Sequence, residues 1–558
     1  MQGHGSSCGY ACTATLEMSP PLQVPMIHVS STTPIQVAVP PLRAVASLPS
    51  QGFTVPRPAA QRQSPPRRLV VVSNRVALPG SEPSGGLAHG LRALLSARGG
   101  LWVGWSGRHG EQEDLHLVAE GKVEYLTLDL PRDEFDLYYR EFANRALWPV
   151  LHDRGDLVAC TARARAAYLA VNQRFARLLS RVSGADDMVW IQDYHLIPLG
   201  RMLRERGIGC RLGFFLHTPM AGAEHLARLP GHEHLLRDLA AYDVVGLQTQ
   251  PDADVLTAML EAHCGAERRA AGELAIGARR VLVRAFPIGV DPDALAALAD
   301  ASATRPRVRA LSESLAGREL MIAVDRLDYS KGIPERIAAY GALLQAHPEH
   351  RRGVTFLQVA PESRCDVPEY QRLGQQVQRR VGRINGRHGD EAWTPLRYVN
   401  RSYAHEDLAG FYRMARVGLV TPLRDGMNLV AKEFVACQDG ADPGVLVLSR
   451  YAGAARELDS ALQVDPSDTR GCAQAMARAL SMPLGERRER WRAAMSRLRE
   501  ATIHGWGEGF VAALAGSVGS PLALPSRLVR LSRGQRKERE RVARALADAG
   551  PLADQASA

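Results

Sequence analysis

Residues 417–433 read V-G-L-V-T-P-L-R-D-G-M-N-L-V-A-K-E, an arrangement suited to holding an anion. The apolar run Val417–Val420 predicts a buried strand, Pro422, Asp425 and Gly426 turn the chain, and an apolar-periodic helix is expected from about Met427. Such a turn admits close approach, and the helix behind it aims free N–H groups at whatever lies above. Glu433 follows about one and a half turns in, where a carboxylate reaches sugar hydroxyls; the plainer reading is an ordinary strand–turn–helix. Four cations close other strand-like runs: Arg75 in S-N-R, Arg326 and Lys331 in D-R-L-D-Y-S-K-G, and Arg364 in A-P-E-S-R. One such arginine is commonly a surface ion pair, but four at separate strand ends form a pattern for a polyanion. His217 ends another run in F-F-L-H-T-P and is read as functional. Asp193 and His195 in W-I-Q-D-Y-H-L-I-P could pair as carboxylate and imidazole, or could cap a helix.

Lysine usage points the same way. The chain has 65 Arg and four Lys, at 122, 331, 432 and 537. Two of the four fall in Y-S-K-G and V-A-K-E, where a compact point charge is not freely replaced by a guanidinium.

These groups need a scaffold that presents strand ends side by side. Apolar runs at 69–73, 123–128, 188–191, 211–216, 244–248 and 281–286 alternate with helical patterns such as 161–182 and 194–206. The rhythm restarts with runs at 319–325, 354–360, 396–400, 417–421 and 444–449, separated by helical patterns at 333–346, 366–384, 405–415, 427–438 and 468–481. Strands alternating with helices predict βαβ units and mostly parallel sheets. The α/β reading is therefore two Rossmann-like, doubly wound domains in series, facing across a cleft. Ligands in such sheets bind beyond the carboxyl ends of the strands. Expected boundaries are a disordered tail over 1–66, domains over 67–300 and 301–485, a C-terminal helix over 486–520 packing back on the first domain, and a basic tail over 521–558. The first 66 residues are a poor secretory signal, and a disordered tail or an overlong start is expected there.

At 558 residues the chain exceeds one core. Its net charge of +10 sits mostly in the two ends, so the folded part is near neutral, unlike a nucleic-acid binder with a basic face. No apolar run reaches the roughly 20 residues that span a bilayer. The eight cysteines form no CxxC pair, as expected of free thiols in a reducing cytoplasm. The D-x-D stretches at 252–254 and 291–293 read as a helix start and a turn, so no metal is expected. Gly85–Gly86 is only a fragment of a glycine-rich loop.

Taken together the motifs R-L-V-V-V-S-N-R, S-G-G-L-A-H-G-L, L-W-V-G-W-S-G, Y-Y-R-E-F-A-N-R-A-L-W-P, W-I-Q-D-Y-H-L, R-L-G-F-F-L-H-T-P, D-R-L-D-Y-S-K-G, G-R-I-N-G and T-P-L-R-D-G-M-N-L-V-A-K-E resemble the trehalose-6-phosphate synthase family, retaining glucosyltransferases of the GT-B class, over about 68–510. The resemblance implies transfer from a nucleotide sugar, typically UDP-glucose, to glucose 6-phosphate, with no cofactor, in a homo-oligomer, and with a separate phosphatase acting on the product. It implies that Arg75, Tyr139, Trp148, Asp193 and Arg364 hold the acceptor. It implies that Gly85, Gly86, His217, Arg326, Lys331, Asp425 and the run Gly426, Met427, Asn428, Leu429, Val430, Ala431, Lys432, Glu433 hold the donor, with His217, Arg326, Lys331 and Asp425 nearest the chemistry. Retention ordinarily means double displacement through a carboxylate; the resemblance instead implies front-face attack assisted by the leaving phosphate. One departure stands out. The family usually reads P-F-P after the histidine's neighbour, whereas this chain reads Pro219-Met220-Ala221. That loop is expected near the acceptor, so another phosphorylated acceptor, such as glycerol 3-phosphate, is a second reading. A silent regulatory subunit is a third, opposed by the four retained cations.

Overall fold

The computed structural model describes residues 67–80, 86–110, 115–270, 272–364 and 367–517. Gly85, the expected N-terminal tail and the basic C-terminal stretch lie outside them. Two sheets run through the described residues. The first has ten strands: β1 (Leu69–Arg75), β2 (Gly100–His109), β3 (Leu115–Glu120), β4 (Val123–Leu130), β5 (Met188–Gln192), β6 (Arg211–Phe215), β7 (Val244–Leu247), β8 (Glu267–Arg268), β9 (Glu273–Ile276) and β10 (Arg279–Ala285). Their order is β3-β4-β2-β1-β5-β6-β7-β10-β9-β8. The seven central strands from β4 to β10 are parallel, and β3, β9 and β8 add antiparallel edges. The second sheet is wholly parallel, β13-β12-β11-β14-β15-β16, built from β11 (Glu319–Val324), β12 (Val354–Val359), β13 (Leu396–Val399), β14 (Val417–Val420), β15 (Val445–Ser449) and β16 (Leu462–Val464). Central strands such as β12 and β14 are buried along their whole length, as helices on both faces require. This is the predicted pair of doubly wound lobes.

Strand β2 does not stand out in the sequence. Gly104 and Gly107 interrupt its apolar run, and glycine ordinarily weakens a strand. Here a Cβ on Gly104 would lie 2.5 Å from the Ser73 carbonyl oxygen, so the glycine is what lets β1 and β2 approach. The helix expected over 486–520 is, within the described residues, two helices, Leu484–Glu500 and Ile503–Gly516, because Thr502 turns the chain and its hydroxyl accepts from the Gly505 N–H. The second of them lies on β6, β7 and the helix Gly86–Arg98 of the first lobe. Phe510 is fully buried there and stacks 4.4 Å from the Trp190 ring. Burying a side chain of that size stabilises by about 1.5–3 kcal/mol. The helix Pro292–Ser302, just after the chain leaves β10, packs on helices His405–Met414 and Leu429–Cys437 beside the second sheet. No helix among the described residues is long and apolar enough to cross a membrane.

Candidate active site

Four of the five predicted acceptor residues, Arg75, Tyr139, Trp148 and Arg364, lie along one continuous aromatic wall. Arg75 leaves β1 and lies over the Trp105 ring at 5.8 Å. Trp105 contacts Phe135 at 4.3 Å, and Phe135 stacks on Tyr139 at 5.0 Å. Tyr139 stacks on His195 at 5.5 Å, His195 touches Tyr194 at 4.0 Å, and Tyr194 meets Trp148 at 5.8 Å. Tyr139 is carried by a wide-turned π-helix, Asp136–Leu147, which delivers Trp148 at its end. Such turns recur at functional sites because they re-aim side chains within a helix. Over the face of Trp148 sit two cations from the other lobe, Arg364 at 4.3 Å and Arg326 at 5.6 Å. Each such contact is worth about 0.5–2 kcal/mol, more when desolvated.

Asp328, which is not among the candidate residues named from the sequence, organises this junction. Its side chain is fully buried. It accepts from Arg364 Nη1 at 2.9 Å, the Tyr370 hydroxyl at 3.0 Å, the Ser330 N–H at 3.0 Å and, across the lobes, the Trp148 indole N–H at 3.4 Å. Burial works against its charge, yet Arg364 and Arg326 outweigh that and hold the carboxyl well below its ordinary value. Arg364 also donates to the Tyr370 and Tyr194 hydroxyls. The exposed guanidinium of Arg326 has no hydrogen-bond or ion-pair partner among the described residues, and the same holds for the guanidinium of Arg75.

Asp193 and His195 do not form the pair considered above. His195 is buried between the two tyrosines, and neither ring nitrogen has a partner. Burial, with Arg364 and Arg326 adding to it, lowers its pKa to about 3. Asp193 instead accepts the His217 N–H at 3.3 Å, and burial raises its carboxyl to about 6. Its backbone is strained, at φ 71° and ψ 166°, a region costing a non-glycine residue about 1–3 kcal/mol. Six non-glycine residues have positive φ among those described, and Asp193, Arg364 and Asn428 are three of them. Strain therefore gathers at the cleft, where the surrounding contacts hold it.

On the donor side, Lys331 ion-pairs with Asp425, and Asn428 Nδ2 donates to the same carboxylate at 3.0 Å. The helix begins at Leu429, two residues later than expected, because Asn428 is left-handed at φ 69°. The N–H groups of Leu429 and Val430 therefore head the helix with no carbonyl one turn behind them. Gly86 starts the helix Gly86–Arg98 in the first lobe. Glu433 faces no hydrogen-bond donor among the described residues, and burial pushes its carboxyl up to about 7. Gly426 also meets the first lobe. A Cβ there would stand 2.1 Å from the His217 carbonyl oxygen, so it seats the second lobe on the backbone of the first. Arg424, also unforeseen, strengthens that seat by donating to the Met220 carbonyl at 2.6 Å and pairing with Asp153.

Two side chains of the expected segments are occupied by partners within the protein. Lys432 is wholly buried, and its three protons go to the Ile288 carbonyl at 2.8 Å and both oxygens of Glu457 at 2.9 Å. It keeps no proton for a phosphate. The His217 imidazole is likewise occupied: Nε2 contacts Gln192 Oε1 at 2.9 Å and Nδ1 contacts Gln248 Nε2 at 3.3 Å. With burial lowering its pKa to about 3, it is neutral and supplies no cation. The D-x-D aspartates are helix-start groups: Asp252 accepts from Thr249 and the Met220 N–H, and Asp291 caps the Ala294 N–H.

Two Rossmann-like lobes whose strand ends meet over cations, a helix N-terminus and a sugar-sized aromatic wall define a glycosyltransferase of the GT-B class. A family model described as glycosyltransferase family 20 matches residues 63–516, and the chain belongs to that family. A trehalose-6-phosphate synthase of Sinorhizobium fredii is 46% identical over 457 residues, 81% of this chain and 98% of the relative. The Burkholderia xenovorans α,α-trehalose-phosphate synthase (UDP-forming), solved in complex with glucose-6-phosphate, is 43% identical and superposes with a TM-score of 0.78, covering 80% of this chain and 100% of its own. An E. coli structure bound with UDP-2-fluoro glucose is also 43% identical with a TM-score of 0.78, over 81% and 99% of the two chains.

Proposed function

We propose that this chain transfers glucose from UDP-glucose to glucose 6-phosphate with retention, giving α,α-trehalose 6-phosphate and UDP. The observation that carries the reading is the meeting of two differently held groups of cations around Trp148 and Asp328. Arg75 and Arg364 fork toward a sugar monophosphate, with Tyr139 and Trp148 beneath the sugar ring. Arg326, Lys331 and the N–H groups of Leu429 and Val430 serve the diphosphate, where charge grows as the bond to glucose breaks. Glu433 accepts ribose hydroxyls, Asp425 contacts the donor glucose, and Asp193 orients the acceptor. His217 contributes through its strand-end backbone, held beside Gly426, and its neutral ring supplies no cation. The acceptor hydroxyl enters on the face the diphosphate leaves, and the departing phosphate takes its proton. The relatives named for this reaction, and those solved with glucose-6-phosphate and with a UDP-sugar analogue, support this reading.

A coupled assay for nucleotide release tests it, run over UDP-, GDP- and ADP-glucose with glucose 6-phosphate and glycerol 3-phosphate. UDP release dependent on glucose 6-phosphate is expected. Release only with glycerol 3-phosphate would transfer the reading to another acceptor, and release with no sugar phosphate would end it.

A further inference from the structure

A closed ring of contacts links the donor helix to the strand end of the first lobe. Its first member is Lys432, on the helix Leu429–Cys437 and next to Glu433. Lys432 donates to the carbonyl of Ile288, which lies in the segment crossing from β10 to the second lobe. The N–H of that same Ile288 donates to Gln248 Oε1 at 3.0 Å. An amide whose oxygen is so engaged has only its NH2 to offer elsewhere, so Gln248 Nε2 donates to His217 Nδ1. Nδ1 must then be the bare nitrogen, and the proton must sit on Nε2, which donates to Gln192 Oε1. The ring closes where the His217 carbonyl lies against Gly426, three residues before the same helix starts.

We propose that Lys432 is a positioning residue for the transfer proposed above, acting through Ile288 and Gln248 to fix the His217 tautomer and to keep the donor helix in register with the strand end that carries His217. The inference rests on that reading of the cleft. Lysine is required because three acceptors surround a fully buried point: three N–H groups satisfy them, whereas a guanidinium brings five and a larger plane. This explains why an arginine-biased chain keeps a lysine here although it never meets a phosphate.

The test uses full-length protein with ring-¹⁵N-labelled histidine, the His217 signals being assigned by their loss in His217→Asn. Wild type should show one protonated nitrogen, Nε2, and one bare nitrogen, Nδ1. Lys432→Met alone strands the Glu457 carboxylate, so the working variant is Lys432→Met with Glu457→Gln, which removes both charges and keeps the volumes. It should show mixed His217 tautomers and a kcat lower by about 10²-fold, the order expected of a small displacement at a reacting centre, with UDP affinity within about threefold. The isosteric Gln248→Glu, with Lys432 intact, should put a proton on Nδ1 and produce the same kcat loss. Wild-type His217 signals in both variants would overturn the inference, and so would shifted signals with unchanged kcat. Failure of the parent enzyme to release UDP with any sugar phosphate would instead sink the functional reading, while the histidine spectra would still report on the ring of contacts.

Discussion

Each side of the cleft carries one bound cation and one free one, and the bound ones are held differently. On the acceptor side Arg364 is locked to Asp328, a carboxylate with no exposure that no substrate can reach. On the donor side Lys331 is paired with Asp425, which is 14% exposed and is itself a proposed contact for the donor sugar. Under the proposed assignment the acceptor phosphate meets a charge fixed before it arrives, whereas the diphosphate must share or displace an existing partner. The free members, Arg75 and Arg326, need no rearrangement. A fixed charge favours orientation; a shareable one favours stabilisation that strengthens as the leaving group gains charge.

The largest test of this contrast removes the donor-side cations. Lys331→Ala or Arg326→Ala should lower kcat by about 10²–10³-fold, the loss of one preorganised electrostatic contact, with an unchanged thermal midpoint in Arg326→Ala, whose side chain is exposed and unpaired. Wild-type turnover in both variants would show that leaving-group charge is handled elsewhere. The acceptor-side counterpart should show itself in stability first. Asp328→Asn leaves Arg364 buried beside a neutral group, and breaking a buried pair costs about 3–5 kcal/mol. The sign with pH follows from the depressed folded pKa. Asp328 stabilises the fold at pH values above its ordinary carboxylate range, and that contribution fades as acid is added below it. The gap in thermal midpoint between parent and variant should thus be full at pH 7 and shrink below about pH 4. A gap that persists in acid would mean the carboxylate's charge is not what holds Arg364.

Glu433 offers a milder test. Its carboxyl lies near 7 because burial raises it. Ribose hydroxyls donate hydrogen bonds and so favour the ionised form. UDP binding should release a proton near neutral pH, and affinity should weaken about tenfold for each pH unit below 7. Calorimetry in buffers of different ionisation enthalpy measures the proton, and Glu433→Gln should abolish both effects. Proton uptake on binding would reverse the assignment.

How far the sequence could be read depended on where each signal resides. Strand–helix alternation lies within the chain, so both lobes and nearly all the central strands were legible; β2 was hidden because Gly104 answers a neighbouring backbone. Cations at strand ends were visible as well, since strand ends are local. What could not be read was the direction a side chain takes after its strand. Lys432 and His217 stand in the expected segments, yet their polar atoms are consumed by Ile288, Glu457, Gln192 and Gln248, all distant in sequence. Asp328 was missed for the same reason: its partners Trp148, Arg364 and Tyr370 come together only in the folded chain.

The altered loop gives the smallest expected effect. Its sequence, Met220-Ala221 where the family reads Phe-Pro, raised the prospect of a changed acceptor. In the fold Met220 is 3% exposed and Ala221 fully buried, both packed in the first lobe's core. What this loop presents to the second lobe is backbone: the Met220 carbonyl accepts from Arg424, and its N–H is held by Asp252. A side chain facing the core cannot select an acceptor directly, so Met220→Phe should move the ratio of kcat/KM for glucose 6-phosphate to that for glycerol 3-phosphate by less than about threefold, under 1 kcal/mol of discrimination. Overpacking should appear instead as about 1–3 kcal/mol of lost stability. A larger swing in acceptor preference would mean that the Arg424 contact passes core packing on to the cleft, and the two sides compared above would then be coupled through this loop as well as through Asp328.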